Sequence, residues 1–245
     1  MRSPGLDLEF TLVHINGGEF LMGSCDGRDD ERPVHRVRLG SFELGRCQVT
    51  NEEYEIFTRA TGRPAPPNRN DSNLNHPHQP VVAVSWFDAM SFCEWLSVDR
   101  GHRYRLPTEA EWEFAARGGA PEVPYPWGDT APEWYREGGA RLSGPVQVGL
   151  KPSNGYGLHD LCENVHEWCS DWYGHDYYAV SPTRNPPGPE AGSRRVSRGG
   201  SWRHQLPFSR CAARSSIPPG FRYTDYGFRI ACDSPAESEL PRPAP

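Results

Sequence analysis

The segment that decides the fold of this chain lies in its last quarter and reads Arg198-Gly199-Gly200-Ser201-Trp202-Arg203-His204. It is followed by Arg210-Cys211-Ala212-Ala213-Arg214 and by Gly227-Phe228-Arg229. From about Gly119 onward, helical and strand periodicity fade, and turn signals alternate with Trp and Tyr. The chain has 25 Gly and 25 Pro among 245 residues, which predicts a loop-rich fold rather than a helical bundle.

Composition and charge exclude several classes of function. The net charge is −6, and no run of Lys and Arg interleaves with aromatic residues, so we expect no nucleic-acid partner. No apolar stretch approaches the roughly 20 residues needed to span a bilayer, so we expect no membrane partner. Residues 1–7 lack the apolar run of a signal peptide, and seven cysteines are an odd number for a disulfide framework. We therefore expect a cytoplasmic protein.

The length suits one domain with a substantial core. We place that domain at residues 8–233, because neither a repeat nor a linker divides the chain. Residues 234–245 are rich in Pro and Glu and predict a disordered tail.

Three segments carry both start and stop signals for helices. Each begins with a Ser or Thr followed three residues later by an acidic residue, and each ends at a Gly. The three boxes and their terminal glycines are Thr50–Glu53 with Gly62, Ser85–Asp88 with Gly101, and Thr108–Glu111 with Gly118.

The N-terminal part predicts strands joined by turns. Phe20–Ser24 leads into a polar loop, after which His35–Leu39 and Phe42–Leu44 alternate as strands do. The acidic run Asp29–Glu31 in that loop has the composition of a metal cluster. We interpret it instead as a solvated hairpin loop.

Five motifs spaced along the chain resemble the formylglycine-generating enzyme family, whose members are also called sulfatase-modifying factors. The motifs are Pro80-Val81-Val82-Ala83-Val84-Ser85-Trp86, Arg105-Leu106-Pro107-Thr108-Glu109-Ala110-Glu111-Trp112-Glu113, Gly155-Tyr156-Gly157-Leu158, Asn164-Val165-His166-Glu167-Trp168 and Arg198-Gly199-Gly200-Ser201-Trp202. They follow the family's order between about Val13 and Cys232. The resemblance implies a single α+β domain, irregular and loop-rich, that is related to C-type lectins and stiffened by calcium.

The family that the chain resembles contains several functional classes. Its members include copper oxidases that convert a sulfatase cysteine to formylglycine, and non-haem iron enzymes of ergothioneine and ovothiol synthesis. They also include pyoverdine-maturation proteins and binding proteins without catalysis. The resemblance therefore implies the scaffold more narrowly than the activity.

The resemblance places the family's second calcium site at residues 160–167. The implied ligands are the side chains of Asp160 and Glu167 with backbone oxygens near Glu163 and Val165. Calcium takes six to eight oxygens, and the carbonyls of an irregular loop can supplement two carboxylates. Without the resemblance, a capped loop would explain the same residues. The first calcium loop is poorly matched, because Trp134–Gly139 lacks the expected Asn, so we expect that site to be lost.

The cysteine pair that binds copper in the family is missing. His204 occupies the first position, and the second falls within residues 205–209, which contain no Cys. Cys211 belongs to a motif in which the resemblance implies a structural role. Because Cu(I) prefers thiolate ligands, we do not expect the copper mechanism here.

Two histidines replace family residues near the same cleft. His204 stands at a copper cysteine's position, and His166 corresponds to a cleft Trp. Two imidazoles with one carboxylate form the site of non-haem Fe(II) oxygenases. Asp225 or Glu163 would supply the acid. We therefore predict His166 and His204 as catalytic residues and ligands of Fe(II) or another redox metal; the alternative is that they line a binding groove.

Further roles follow from the resemblance alone. Ser201 and Arg214 match positions that line the family's cleft, and with Trp202 they are predicted to contact substrate. Cys93 matches a disulfide-forming cysteine whose partner position is Ile230; the nearest thiol is Cys232, two residues on and on the same strand face. A Cys93–Cys232 bridge and two buried free thiols remain alternatives.

The leading hypothesis is a metal-dependent oxidase or oxygenase that acts on a peptide or on a small amine or thiol. The main alternative is a non-catalytic, lectin-like module that binds a ligand or peptide through exposed aromatic residues. Its candidate surface consists of Tyr173, Tyr177, Tyr178, Phe208, Phe221 and Tyr223. A third hypothesis is formylglycine formation by different chemistry.

Overall fold

All three predicted helices begin at their capping boxes. The computed structural model describes residues 10–120, 123–133 and 143–233, and its helices are α1 (Asn51–Thr61), α2 (Trp86–Arg100) and α3 (Glu109–Ala116). In each box the cap side chain accepts the third backbone N–H, and the acidic side chain accepts the cap N–H. The C-caps of α1 and α2 are the left-handed glycines Gly62 and Gly101, as predicted, whereas the C-cap of α3 is Arg117, which Gly118 follows.

The strands form small sheets. Their bounds are β1 (Leu12–Ile15), β2 (Gly18–Met22), β3 (His35–Leu39), β4 (Phe42–Gly45), β5 (Tyr104–Arg105), β6 (His166–Trp172), β7 (Arg195–Arg198), β8 (Arg214–Ile217), β9 (Tyr226–Gly227) and β10 (Ala231–Asp233). One sheet has the order β1-β4-β10-β5, a second is the β2–β3 hairpin, and a third has the order β8-β7-β6-β9. These elements confirm the predicted loop-rich α+β fold.

The third sheet positions the segments that the sequence singled out. Strand β6 pairs antiparallel with β7, with Glu167 opposite Arg198, and parallel with β9, with His166 opposite Tyr226. The Arg-Gly-Gly-Ser segment leaves β7 at the edge where β6 begins, so its loop lies beside His166. Among the described residues, no helix is long and apolar enough to cross a membrane.

The acidic run Asp29–Glu31 was wrongly interpreted as solvated. It forms one turn of 3₁₀ helix, and both Asp30 and Glu31 are buried. The guanidinium of Arg210 donates two hydrogen bonds to the Glu31 carboxylate, at 2.6 and 2.7 Å. Tyr173 donates its hydroxyl to Asp30 at 2.8 Å. The run is an anchor between distant segments, because burial of a carboxylate requires such partners.

Several motif residues meet in one buried ion-pair network beneath the third sheet. Arg198 bonds Glu109 at 2.8 Å and Glu113 at 2.6 Å; Glu109 also accepts from Arg214, and Glu113 from Arg117. Burial alone would raise the pKa of the two glutamates, but the surrounding guanidinium groups outweigh it and lower their pKa. The motif residues Glu109, Glu113, Arg198 and Arg214 therefore stabilise the fold through this network.

The cysteines are all free thiols in this structure, including Cys93 and Cys232. Cys93 is buried in an aromatic cluster with Phe57 and Phe92, and burial raises its thiol pKa. Cys232 lies on β10 opposite Tyr104. Of the two alternatives for this pair, the structure has the free thiols.

Candidate functional site

The two histidines singled out by the sequence are in direct contact. His166 opens β6, and His204 lies in the loop that follows the Arg-Gly-Gly-Ser segment. Nε2 of His166 and Nδ1 of His204 are 2.9 Å apart. The ring of His166 is 2 % exposed, whereas His204 is half-buried and faces the surface side of the pair. The pair thus joins a rigid strand to an accessible loop.

Asp225 completes the cluster. One ligand atom each from His166, His204 and Asp225 lie within 4.8 Å of one another. Among residues 10–120, 123–133 and 143–233, this is the single group of three or more His, Cys, Asp or Glu side chains so arranged. Of the two predicted carboxylates, the structure brings Asp225 to the histidines, whereas Glu163 is paired with Lys151.

Hydrogen bonds fix the position of Asp225. The hydroxyl of Ser201 donates to Oδ2 of Asp225 at 3.1 Å. The backbone carbonyl of Asp225 accepts the backbone N–H of His166 at 2.8 Å. Hydrogen bonds of this kind orient a metal-binding carboxylate and hold it in one rotamer. Ser201 is buried and its hydroxyl is bonded to Asp225, so the structure does not present this hydroxyl for the predicted substrate contact.

Burial keeps the histidines neutral. Burial lowers the pKa of His166, and the neighbouring His204 adds to this effect against an opposing effect of Asp225, so that the pKa falls to about 4. Burial also lowers the pKa of His204, again opposed by Asp225. Neutral imidazole is the form that binds metals. At neutral pH the cluster therefore presents two ligand nitrogens and one carboxylate.

The spacing suits a shared ion. Two nitrogens bound at right angles to one ion, each at about 2.1 Å, lie about 3.0 Å apart. The observed 2.9 Å matches this value and also matches a direct N–H···N hydrogen bond. The donor set is that of a two-histidine, one-carboxylate iron centre, so the residues fit a redox metal.

The predicted calcium loop has an irregular backbone. Asp160, Cys162 and Asn164 adopt left-handed conformations with φ of 58°, 67° and 67°, which Asp and Asn tolerate and which are unfavourable for Cys162. Oδ1 of Asp160 is buried without a partner, and so is Oε1 of Gln48. Gln48 also donates to the Asp160 carbonyl at 2.9 Å. Asp160 therefore fits as a ligand, and Gln48 is an addition that the sequence did not predict.

Glu167 does not fit as the second calcium carboxylate. Oε1 accepts hydrogen bonds from Arg229 and Gln48, and Oε2 accepts from Arg229 and the Trp112 indole, all at 2.6–2.8 Å. Each oxygen thus has two donors, which uses the lone pairs that calcium would need. Val165, one of the two positions predicted to supply a backbone oxygen, is fully buried beside Leu74 and Val82.

Arg214 was wrongly predicted to contact substrate. Its guanidinium is buried and donates to both carboxylate oxygens of Glu109 and to the Asp30 carbonyl. The sequence could not reveal this, because Glu109 lies 105 residues earlier. Trp202 is half-buried and donates its indole N–H to the Thr224 carbonyl at 3.4 Å, beside the cluster.

The proposed aromatic binding surface divides into two groups. Tyr178 is buried, and Tyr173 and Tyr177 are partly buried around the Arg214 network. Phe208, Phe221 and Tyr223 are 50 %, 48 % and 45 % exposed. The ring of Phe208 lies 5.6 Å from that of His204, so this exposed ring borders the cluster of His166, His204 and Asp225.

The chain matches one family over almost its whole length. A family described as the Sulfatase-modifying factor enzyme 1-like domain matches residues 7–234. The Formylglycine-generating enzyme of Streptomyces coelicolor is 35 % identical over 91 % of this chain and 89 % of its own. Serine/threonine-protein kinase pkn1 of Chlamydia pneumoniae is 38 % identical over 90 % of this chain, which spans only 37 % of that relative's length.

Solved structures agree on the fold. PvdO from Pseudomonas aeruginosa superimposes with a TM-score of 0.81 at 30 % identity, covering 91 % of this chain and 94 % of its own. Treponema denticola variable protein 1 superimposes with a TM-score of 0.80 at 28 % identity, covering 93 % and 96 %. The predicted scaffold is thereby confirmed.

Proposed function

Because this chain belongs to the sulfatase-modifying factor family, we propose that it is a metal-dependent oxidase or oxygenase centred on His166, His204 and Asp225. Its substrate is a peptide or a small amine or thiol. The convergence of three ligand atoms within 4.8 Å carries the proposal. Two histidines and one carboxylate are the ligands of Fe(II) centres that use O₂, and they leave coordination positions open.

The residues of the cluster have distinct roles in this proposal. His166 and His204 would each hold the ion through one ring nitrogen, and Asp225 would hold it through its carboxylate. Ser201 acts through Asp225 by fixing the carboxylate that it bonds. When bound, the ion supplies redox chemistry with O₂. Since His204 is half-exposed, substrate approaches from its side of the pair.

The position of His204 separates this chain from copper-using relatives. A thiolate pair suits Cu(I), whereas imidazole and carboxylate ligands suit iron. Formylglycine formation, the activity in the name of the Streptomyces coelicolor relative, is therefore a weaker candidate than oxidation at an iron-type centre. Incubation with a Cys-x-Pro-x-Arg peptide, followed by mass analysis, tests it directly.

A non-catalytic binding module is the second candidate. The observation that favours it is the exposed aromatic group Phe208, Phe221 and Tyr223. In that case, the histidine pair is a hydrogen-bonded part of the binding surface.

Oxygen consumption tests the proposed function. Protein loaded anaerobically with Fe(II) is mixed with O₂ and with cysteine-containing peptides, small thiols or amines. We expect substrate-dependent O₂ uptake that is lost in His166→Ala and His204→Ala and retained in the exposed control His175→Ala. Absence of uptake with every substrate, together with ligand binding that survives both cluster substitutions, would instead support the binding module.

We also propose that calcium binds beside Asp160 and Gln48, with backbone carbonyls of the irregular loop. Oδ1 of Asp160 and Oε1 of Gln48 are buried without a hydrogen-bond partner, and this supports the site. Glu167 remains bound to Arg229 and does not take part.

A further inference from the structure

Two loops frame the accessible side of the histidine pair. The first, residues 201–208, contains His204, and the second, residues 221–225, contains Asp225. They are joined where Trp202 donates to the Thr224 carbonyl and where Arg203 donates to the Thr224 hydroxyl at 2.6 Å. A substrate that reaches the cluster therefore meets side chains of these two loops.

Both loops present exposed aromatic rings to solvent. Phe208 contacts His204 with ring centroids 5.6 Å apart. On the other side, Tyr223 lies 5.8 Å from Tyr226, which in turn lies 4.8 Å from His166. Each loop thus carries an exposed ring near the cluster, Phe208 in direct contact with His204 and Tyr223 one ring removed from His166, and a flat group of the substrate can stack on such a ring.

The charge of the two loops differs from that of the whole chain. The chain carries −6, yet the loops contain two arginines and only one acidic residue, the buried Asp225. Arg222 is paired with Asp88. Arg203 is exposed and stacks over the Trp202 ring at 4.4 Å, which holds its guanidinium beside the cluster. This cation is available to an anionic group.

We propose that the site binds a substrate that carries both an aromatic ring and a carboxylate. The ring stacks on Phe208 or Tyr223, and the carboxylate accepts hydrogen bonds from Arg203. This inference rests on the proposed function, since it takes the histidine cluster as the reaction centre and names the class of its substrate. Binding itself needs no metal, because neither the rings nor Arg203 belongs to the ligand set.

Isothermal titration calorimetry of metal-free protein with N-acetylphenylalanine tests the proposal. We expect N-acetylphenylalaninamide, which lacks the charge, to bind roughly three- to fivefold more weakly. N-acetylcyclohexylalanine, which lacks the aromatic ring, is expected to bind roughly three- to tenfold more weakly. Arg203→Gln should remove the preference for the carboxylate, and Phe208→Leu with Tyr223→Leu should remove the preference for the ring.

Arg59→Gln, an exposed and ion-paired arginine on α1, is the matched control and should bind as the wild type does. Circular dichroism confirms that each variant is folded. Equal affinity for the three ligands, unchanged preferences in the variants, or no binding at millimolar concentration would each overturn the proposal. Because the titration is run without metal, its result can be interpreted even if the protein has no metal centre. A negative titration would overturn the substrate class and would not bear on the metal centre.

Discussion

Nε2 of His166 and Nδ1 of His204 lie 2.9 Å apart, although 38 residues separate them in the chain. The antiparallel pairing of β6 with β7 brings them together. Glu167 lies opposite Arg198, and the glycines after Arg198 turn the chain back over the start of β6. Gly199 has φ of 76°, and a Cβ at Gly200 would collide with the Ser209 hydroxyl. The Gly-Gly pair therefore permits the turn that places His204 on His166.

The buried ion-pair network gives a prediction on stability. Glu113→Gln leaves Arg198 and Arg117 with less than their full charge compensation in the interior. We expect the free energy of unfolding to fall by roughly 3–5 kcal/mol in urea titrations, the usual cost of breaking a buried pair.

Glu55→Gln on the exposed face of α1 is the control for that experiment. It also loses two arginine partners, but at the surface, so it should cost about 1 kcal/mol or less. Equal losses in the two variants would show that the network contributes no more than surface pairs do.

Asp171 predicts how stability depends on pH. Burial, together with the nearby Glu109 carboxylate, raises its pKa to about 7, compared with 3.8 for the free group. The folded state therefore holds a proton that the unfolded state releases, and stability falls as pH rises from about 4 to about 7. Asp171→Asn should remove the contribution of Asp171, leaving that of Glu163, whose pKa burial also raises to about 7. It should raise the free energy of unfolding at pH 8 by about 2 kcal/mol relative to its effect at pH 5.

The side-chain amide introduced by Asp171→Asn keeps one carbonyl oxygen. That oxygen can still accept the Glu109 backbone N–H that Asp171 accepts at 2.9 Å, so the substitution preserves this contact. Urea titrations of both proteins at pH 5 and pH 8 supply the comparison. An identical pH dependence in wild type and variant would refute the assignment to Asp171.

Calcium should stabilise the protein through Asp160. A saturating concentration, about a hundredfold above Kd, is expected to add roughly 2–3 kcal/mol and to raise Tm by a few degrees. Asp160→Ala should abolish the calcium-dependent rise. Glu163→Gln should retain it, because that side chain is paired with Lys151. If calcium and EGTA give the same Tm for wild type, the site beside Asp160 does not exist.

Local signals in the sequence predicted the local structure correctly. The capping boxes located the starts of α1, α2 and α3, because both partners of each box lie within four residues. Alternation of side chains along the sequence located β3 and β4, because this pattern also depends only on neighbouring residues. The resemblance supplied the scaffold and drew attention to His166 and His204.

The sequence did not reveal which residues pair across long distances along the chain. The partner of Glu31 is Arg210, which lies 179 residues later, so the acidic run was interpreted as solvated although it is buried. Arg214 was predicted to contact substrate because its partner Glu109 could not be identified from the spacing of residues in the sequence. The choice between Asp225 and Glu163 required the parallel pairing of β9 with β6, which places Asp225 beside His166.

Metal stoichiometry tests the central claim most directly. Metal-free protein is loaded anaerobically with Fe(II), or with Co(II) as a spectroscopic substitute, and freed of excess metal before elemental analysis. We expect one redox-metal ion per chain, lost in His166→Ala and His204→Ala and retained in His175→Ala. Less than a stoichiometric amount in the wild type, or an unchanged amount in the two cluster variants, would contradict a metal centre at His166, His204 and Asp225.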